Sequence, residues 1–128
     1  MAFSTELVLA AQTGPGIEYR TLPTLARTTT TSSWTTLASE PEVLGAGTWL
    51  LVYQAAINLT GTNSRWTVNL GGTLGGVTST VEPSAANGLN SGTILQFAAV
   101  VDGSNARALA QAQYGRFNAG TLHVARIG

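Results

Sequence analysis

The run WLLVYQAA, residues 49–56, is apolar on both sides of any strand it forms. Successive side chains of a strand point to opposite faces of its sheet. Trp49, Leu51, Tyr53 and Ala55 therefore share one face, and Leu50, Val52, Gln54 and Ala56 share the other. An antiparallel sheet that meets water keeps one polar face, so a sheet built on this run has to be covered twice. Two further runs have the same character. Ile94, Ala98 and Val100 oppose Leu95, Phe97, Ala99 and Val101, while Leu122 and Val124 oppose Ala125 and Ile127. Elsewhere apolar residues alternate with polar ones, as in Trp66, Val68 and Leu70 against Thr67 and Asn69.

These runs are short, rich in Thr, Val and aromatic residues, and broken by Gly, Asn, Ser and Pro, which is the pattern of many strands joined by tight turns. Eight strands are expected, over residues 3–10, 27–37, 48–59, 65–70, 77–81, 93–101, 106–114 and 121–127. An extended arm containing Gly and Pro is expected over residues 12–25, from Gln12 to Leu25. The segment ARALAQAQ in the seventh run consists of good helix formers. Its alternation and its ten-residue slot between Gly turns favour a strand. The chain is expected to be one domain over 1–128, with no repeat and no linker.

Composition narrows the role. Only 9% of the 128 residues are charged, against about a quarter in typical domains, and interface cores are depleted in charge. The net charge is zero and all six basic residues are Arg, dispersed along the chain. No basic cluster offers itself to phosphate, so nucleic acid is not an expected partner. Without Cys there is no disulfide framework. The opening residues lack a basic n-region, so no signal peptide is expected. No apolar stretch approaches the ~20 residues of a membrane helix, and no membrane partner is expected. The sequon at Asn58 reads as an ordinary strand end.

The segments GTWLLVYQ (47–54), VNLGG (68–72), SGTILQ (91–96) with Asp102-Gly103, and GTLHVARI (120–127) resemble the tumour necrosis factor and complement globular-head superfamily. The resemblance implies an all-β, eight-stranded antiparallel jelly-roll sandwich. It also implies a homotrimer in which the first, third, sixth and eighth strands share a sheet whose outer face lines a threefold axis. By that resemblance Leu50, Val52, Gln54, Phe97, His123, Ala125 and Ile127 form the self-association interface, with Trp49, Leu51 and Tyr53 in the core. Viral decoration proteins and phage fibre heads are similar to this fold. The expected role is thus a phage capsid decoration protein on the outer surface of the virion, assembled in the host cytoplasm. Its partners would be itself and the major capsid protein. It is preferred to a receptor- or glycan-binding fibre head because no shaft-like sequence precedes the first expected strand.

No enzyme is expected. His123 is the lone histidine and has no Cys or carboxylate neighbours to complete a metal site. A triad with Asp102 and a Ser lacks any local signature. Glu40 and Glu42 flank Pro41 in what reads as a polar loop, unlike carboxylates facing across a cleft. Asp102-Gly103 reads as a turn and not a calcium loop. Gly71-Gly72 and Gly75-Gly76 bracket a hairpin connection with no Lys or helix to make a phosphate loop. No cofactor is expected, and one His cannot supply the cluster of a cupin-type metal enzyme. Of the three tryptophans, Trp49 and Trp66 belong to the core by their neighbours. Trp34, set among Thr and Ser, is the candidate for ligand contact.

Overall fold

The computed structural model describes residues 18–58, 65–81 and 91–128, with the backbone alone for residues 29–32. Eight strands run through the described residues: β1 (Tyr19–Thr24), β2 (Arg27–Val43), β3 (Thr48–Asn58), β4 (Trp66–Leu70), β5 (Val77–Val81), β6 (Ile94–Asp102), β7 (Arg107–Phe117) and β8 (Gly120–Arg126). Every pairing is antiparallel, and no helix occurs among the described residues.

The pairings build two four-stranded layers. One has the order β1-β8-β3-β6 and the other β2-β7-β4-β5. They join at one end, where Ile57 and Asn58 of β3 pair with Phe117 and Arg116 of β7. Between the layers lies the main core: Trp49, Leu51, Tyr53, Ala55 and Ile57 of β3 face Trp66, Val68 and Leu70 of β4 and Ala108, Ala110 and Ala112 of β7. Tyr53, Phe97 and Phe117 form an aromatic triangle, with ring centroids 5.6–6.5 Å apart. The Tyr53 hydroxyl has no partner with hydrogen-bond geometry, and burial pushes its pKa above the ordinary value. The Thr24 side chain offsets part of that rise.

The alanines of β7 explain why a segment of helix formers is extended. β7 is an interior strand between β2 and β4, and its inward Ala108, Ala110 and Ala112 are small where the facing side chains are large. Interdigitation of large and small residues, with ladder bonds on both sides, outweighs local propensity.

Several boundaries differ from the sequence reading. The strand expected over residues 3–10 lies outside the described residues. The expected arm is, from Tyr19 to Thr24, the edge strand β1. Pro23 breaks no ladder there because β1 pairs only with β8, and an edge strand tolerates a missing N–H. β2 continues six residues beyond Leu37 to Val43, and its pairing with β7 has three register shifts along its length. Glu40, Pro41 and Glu42 are therefore part of a strand and not of a loop. Glu40 is held by Arg20, whose Nη2 and Nε donate to its carboxylate at 2.6 and 3.0 Å, while the guanidinium carbon sits 5.8 Å from the centre of the Trp49 ring. This bridge fastens β1 to β2 across the open side of the two layers.

Candidate self-association surface

The outer face of the β1-β8-β3-β6 layer can be read row by row from its register. Tyr19, Ala125, Leu50 and Val100 lie side by side. The next row is Thr21, His123, Val52 and Ala98, and the third is Pro23, Thr121, Gln54 and Gln96. Ala56 and Ile94 follow. The face expected from the sequence is therefore assembled, and it contains Leu50, Val52, Gln54, His123 and Ala125, with Ile127 just past the end of β8.

Phe97 is not on it. It is paired with Tyr53 and buried at 4% exposure in the main core. Because β6 is apolar on both sides, its sequence carried no sign of which side faces inward. The pairing with β3 decides it, and the outward residues are Ile94, Gln96, Ala98 and Val100.

Burial divides this face in two. Leu50, Val52 and Ala125 form a small second cluster with Tyr19 and Ala98, and each of the first three is at most 2% exposed within the single chain. They are placed on the expected face but are not accessible to a partner. The accessible apolar surface lies on β6, where Ile94 is 67% and Val100 52% exposed, and at Ile127. A cleft of about 430 Å³ adjoins Ile94, lined also by Gln54, Ala56, Gln96 and Thr121. Gln96 Nε2 donates to Gln54 Oε1 at 2.6 Å, a side-chain bond from β6 to β3 across this strip. None of the residues that line the cleft is charged.

His123 sits in the second row, half-buried. Thr21 Oγ1 donates to Tyr19 Oη at 3.0 Å, and Tyr19 Oη lies 2.9 Å from His123 Nδ1, with the two rings stacked at 6.2 Å. With Thr21 as donor, the phenol proton points to Nδ1, which sets the imidazole proton on Nε2. Burial lowers the His123 pKa from its ordinary value. The unfolded chain thus binds a proton near pH 6.5, while the folded chain binds it only at lower pH. Between these values the unfolded state carries more protons, so folding stability falls as pH drops through that window and is fully present above it. Thermal unfolding of the wild type should lose more between pH 7.5 and 5.5 than that of His123→Gln. Equal losses would show that His123 does not contribute.

The remaining candidates are scattered. Asp102 pairs with Thr48, four residues along β3 from the Val52 that pairs with His123, so the two do not form a dyad. Asp102 Oδ1 instead accepts from the Ser104 backbone N–H at 2.9 Å. Trp34 is half-buried in the irregular stretch of β2 between Thr30 and Thr35 and lies outside the main core. No cluster of three His, Asp or Glu side chains is placed to hold a metal among the described residues. No helix among them is long and apolar enough to cross a membrane. Sequence reasoning missed Ile94 and Val100 as exposed surface; their shared parity with Ala98 was the signal that linked them.

No protein-family model matches this chain. No curated protein matches it either. Among solved structures, it is similar to one described as Bacillus endospore appendages forming a novel family of disulfide-linked pili. The TM-score is 0.49 and the identity 10%, over 87% of this chain and 88% of that one. A likeness at that level carries no functional argument.

Proposed function

We propose that this chain is a structural, self-assembling protein: a jelly-roll domain that forms a homotrimer through the outer face of the β1-β8-β3-β6 layer. The observation that carries the reading is the uncharged strip on β6, where Ile94 and Val100 are largely exposed beside the Gln54–Gln96 pair. A partner with an equally uncharged surface loses no solvated charge on docking there, and a second copy is such a partner. The jelly-roll reading is supported by the strand orders β1-β8-β3-β6 and β2-β7-β4-β5. The role for such a trimer is decoration of a phage capsid, bridging copies of the major capsid protein. Binding only to the assembled shell stabilises it by mass action.

Light scattering at tens of micromolar should give three times the 13.2 kDa chain mass. Fully burying a side chain such as Ile or Val stabilises by about 1.5–3 kcal/mol, so Ile94→Asp with Val100→Asp should weaken association by ~100-fold or more and leave a folded monomer. A monomeric wild type would sink the trimer. A trimer that fails to sediment with expanded phage shells would sink decoration while leaving self-association intact.

A further inference from the structure

Among the described residues, each layer ends in two strands with a free edge: β1 and β6 in one, β2 and β5 in the other. A free edge is a row of unpaired backbone N–H and C=O groups, and proteins that stay apart blunt it with Pro, charge, bulges or short length. Three of these edges are blunted. β1 carries Arg20 and Pro23. β2 carries Glu40, Pro41 and Glu42, and its pairing with β7 shifts register three times. β5 is only five residues long. β6 has none of these devices. It runs for nine residues in unbroken register with β3, from Asp102 opposite Thr48 to Ile94 opposite Ala56. Its stretch ILQFAAVV contains no Pro, Gly or charge.

The ladder also fixes which backbone groups of β6 are free. Ile57 N donates to Thr93 O and Gly103 N donates to Gly47 O, each at 2.9 Å. Hydrogen-bonded and non-bonded pairs alternate along an antiparallel ladder. Leu95, Phe97, Ala99 and Val101, of the same parity as Thr93 and Gly103, therefore turn their backbone groups to β3. Ile94, Gln96, Ala98 and Val100 turn theirs to the open edge. These are also the residues whose side chains stand on the outer face.

We infer that β6 pairs edge to edge with β6 of a second copy, antiparallel, about a twofold axis at Phe97. Outward backbone groups bond only to outward groups, which leaves few registers. The register centred on Phe97 sets Ile94 opposite Val100 of the second copy and Gln96 opposite Ala98 of that copy, each pair exchanging N–H and C=O. The two most exposed apolar side chains of the strand, Ile94 at 67% and Val100 at 52%, then cover each other on both sides of the axis. Centring on Ala98 instead would put Asp102 opposite Ile94, a charge against an apolar side chain. Centring on Gln96 would put Val100 opposite Gly92, which has no side chain to cover it. The strand is thus complementary to itself in one register, and that favours a second copy over an extended segment of another protein. The inference rests on the self-association reading and adds to it. Edge pairing leaves Ile94 and Val100 standing on the outer face, where the face contact uses them, so it joins one trimer to the next.

Cysteine cross-linking of the full chain, which has no Cys of its own, tests this. Hydrogen-bonded antiparallel partners have Cα atoms about 5.5 Å apart, within reach of a disulfide. Along one strand, positions 94 and 100 are about 20 Å apart, so no bridge forms within a chain. Ile94→Cys with Val100→Cys, oxidised at the concentration used for light scattering, should run on a denaturing gel at twice the 13.2 kDa chain mass and no higher. A twofold contact joins each chain to one partner only. Gln96→Cys with Ala98→Cys should cross-link in the same way. Ile94→Cys alone should not, because the two copies of position 94 lie far apart across the axis. Adding Ala98→Pro, which removes one outward N–H and no bond to β3, should cut the dimer yield of the first pair by at least ~5-fold. Covalent trimers would overturn edge pairing in favour of a threefold contact at these positions. A yield no greater than that of Ile94→Cys alone would overturn it too. A trimer mass in light scattering without covalent dimer sinks the edge contact and spares the face contact; covalent dimer from a chain whose wild type is monomeric does the reverse.

Discussion

Gly115→Ala should lower the melting temperature by about 10–20 °C, because strain and overpacking act at one position. Gly115 has φ +101°, a backbone conformation that L residues rarely adopt, and a Cβ built there would stand 2.3 Å from Trp66 Cδ1 and 2.7 Å from the Arg65 carbonyl oxygen. Neither neighbour can give way. Trp66 is fully buried in the core, and its indole N–H is engaged with the Arg116 carbonyl. Backbone strain of about 1–3 kcal/mol adds to overpacking of about 1–3 kcal/mol, and each kcal/mol is worth roughly 3–5 °C in a domain of this size. Gly45→Ala separates the two contributions. Its φ of +109° is similar, but nothing lies within 4 Å of the added Cβ, so only the strain should appear. If the two variants melt together, the approach of Trp66 to β7 is looser than described.

Gly115 also marks a limit of what the sequence disclosed. The division of WLLVYQAA into a core face and an outer face was legible because a period of two admits only two assignments, and Trp49, Tyr53 and Leu50 fell on the sides expected. β5 was read to the residue, since Val77–Val81 is bounded by Gly76 and lies just before Pro83. Phe97 was not legible: with apolar side chains on both sides of β6, the inward side is set by the register with Tyr53, a contact 44 residues away along the chain. β1 was missed for a related reason. YRTLPT follows Gly14-Pro15-Gly16, has little local strand character, and becomes a strand only because β8, 100 residues on, supplies its ladder.

The candidate surfaces divide in the same way. Membership of the outer face was readable from parity, but the burial of Leu50 and Val52 within one chain was not, because alternation says which side a residue faces and not what lies over it.

Replacing Asn69 by Ala should cost about 3–4 kcal/mol, more than most exposed-looking polar residues of a strand. The alternation of Asn69 with Trp66, Val68 and Leu70 suggests a solvent-facing position, yet it is only 2% exposed. Its side chain uses both ends. Nδ2 donates to the Gly72 carbonyl at 3.1 Å and to Thr78 Oγ1 at 3.2 Å, while Oδ1 accepts from the Gly72 N–H and from Gln111 Nε2, each at 3.0 Å. One amide thus ties β4 to β5, to β7 and to the turn after Leu70. Each net bond is worth about 0.5–1.5 kcal/mol, and a donor left buried without a partner costs about 1–3 kcal/mol. Asn69→Leu keeps most of the volume and still strands the Gly72 and Gln111 donors, so it should be destabilised almost as much as Asn69→Ala. Chemical denaturation of both variants gives the comparison. If Asn69→Leu proves as stable as the wild type, filling the space is what matters at this position; if it falls with Asn69→Ala, the four hydrogen bonds hold the β4–β5 edge onto the rest of the layer.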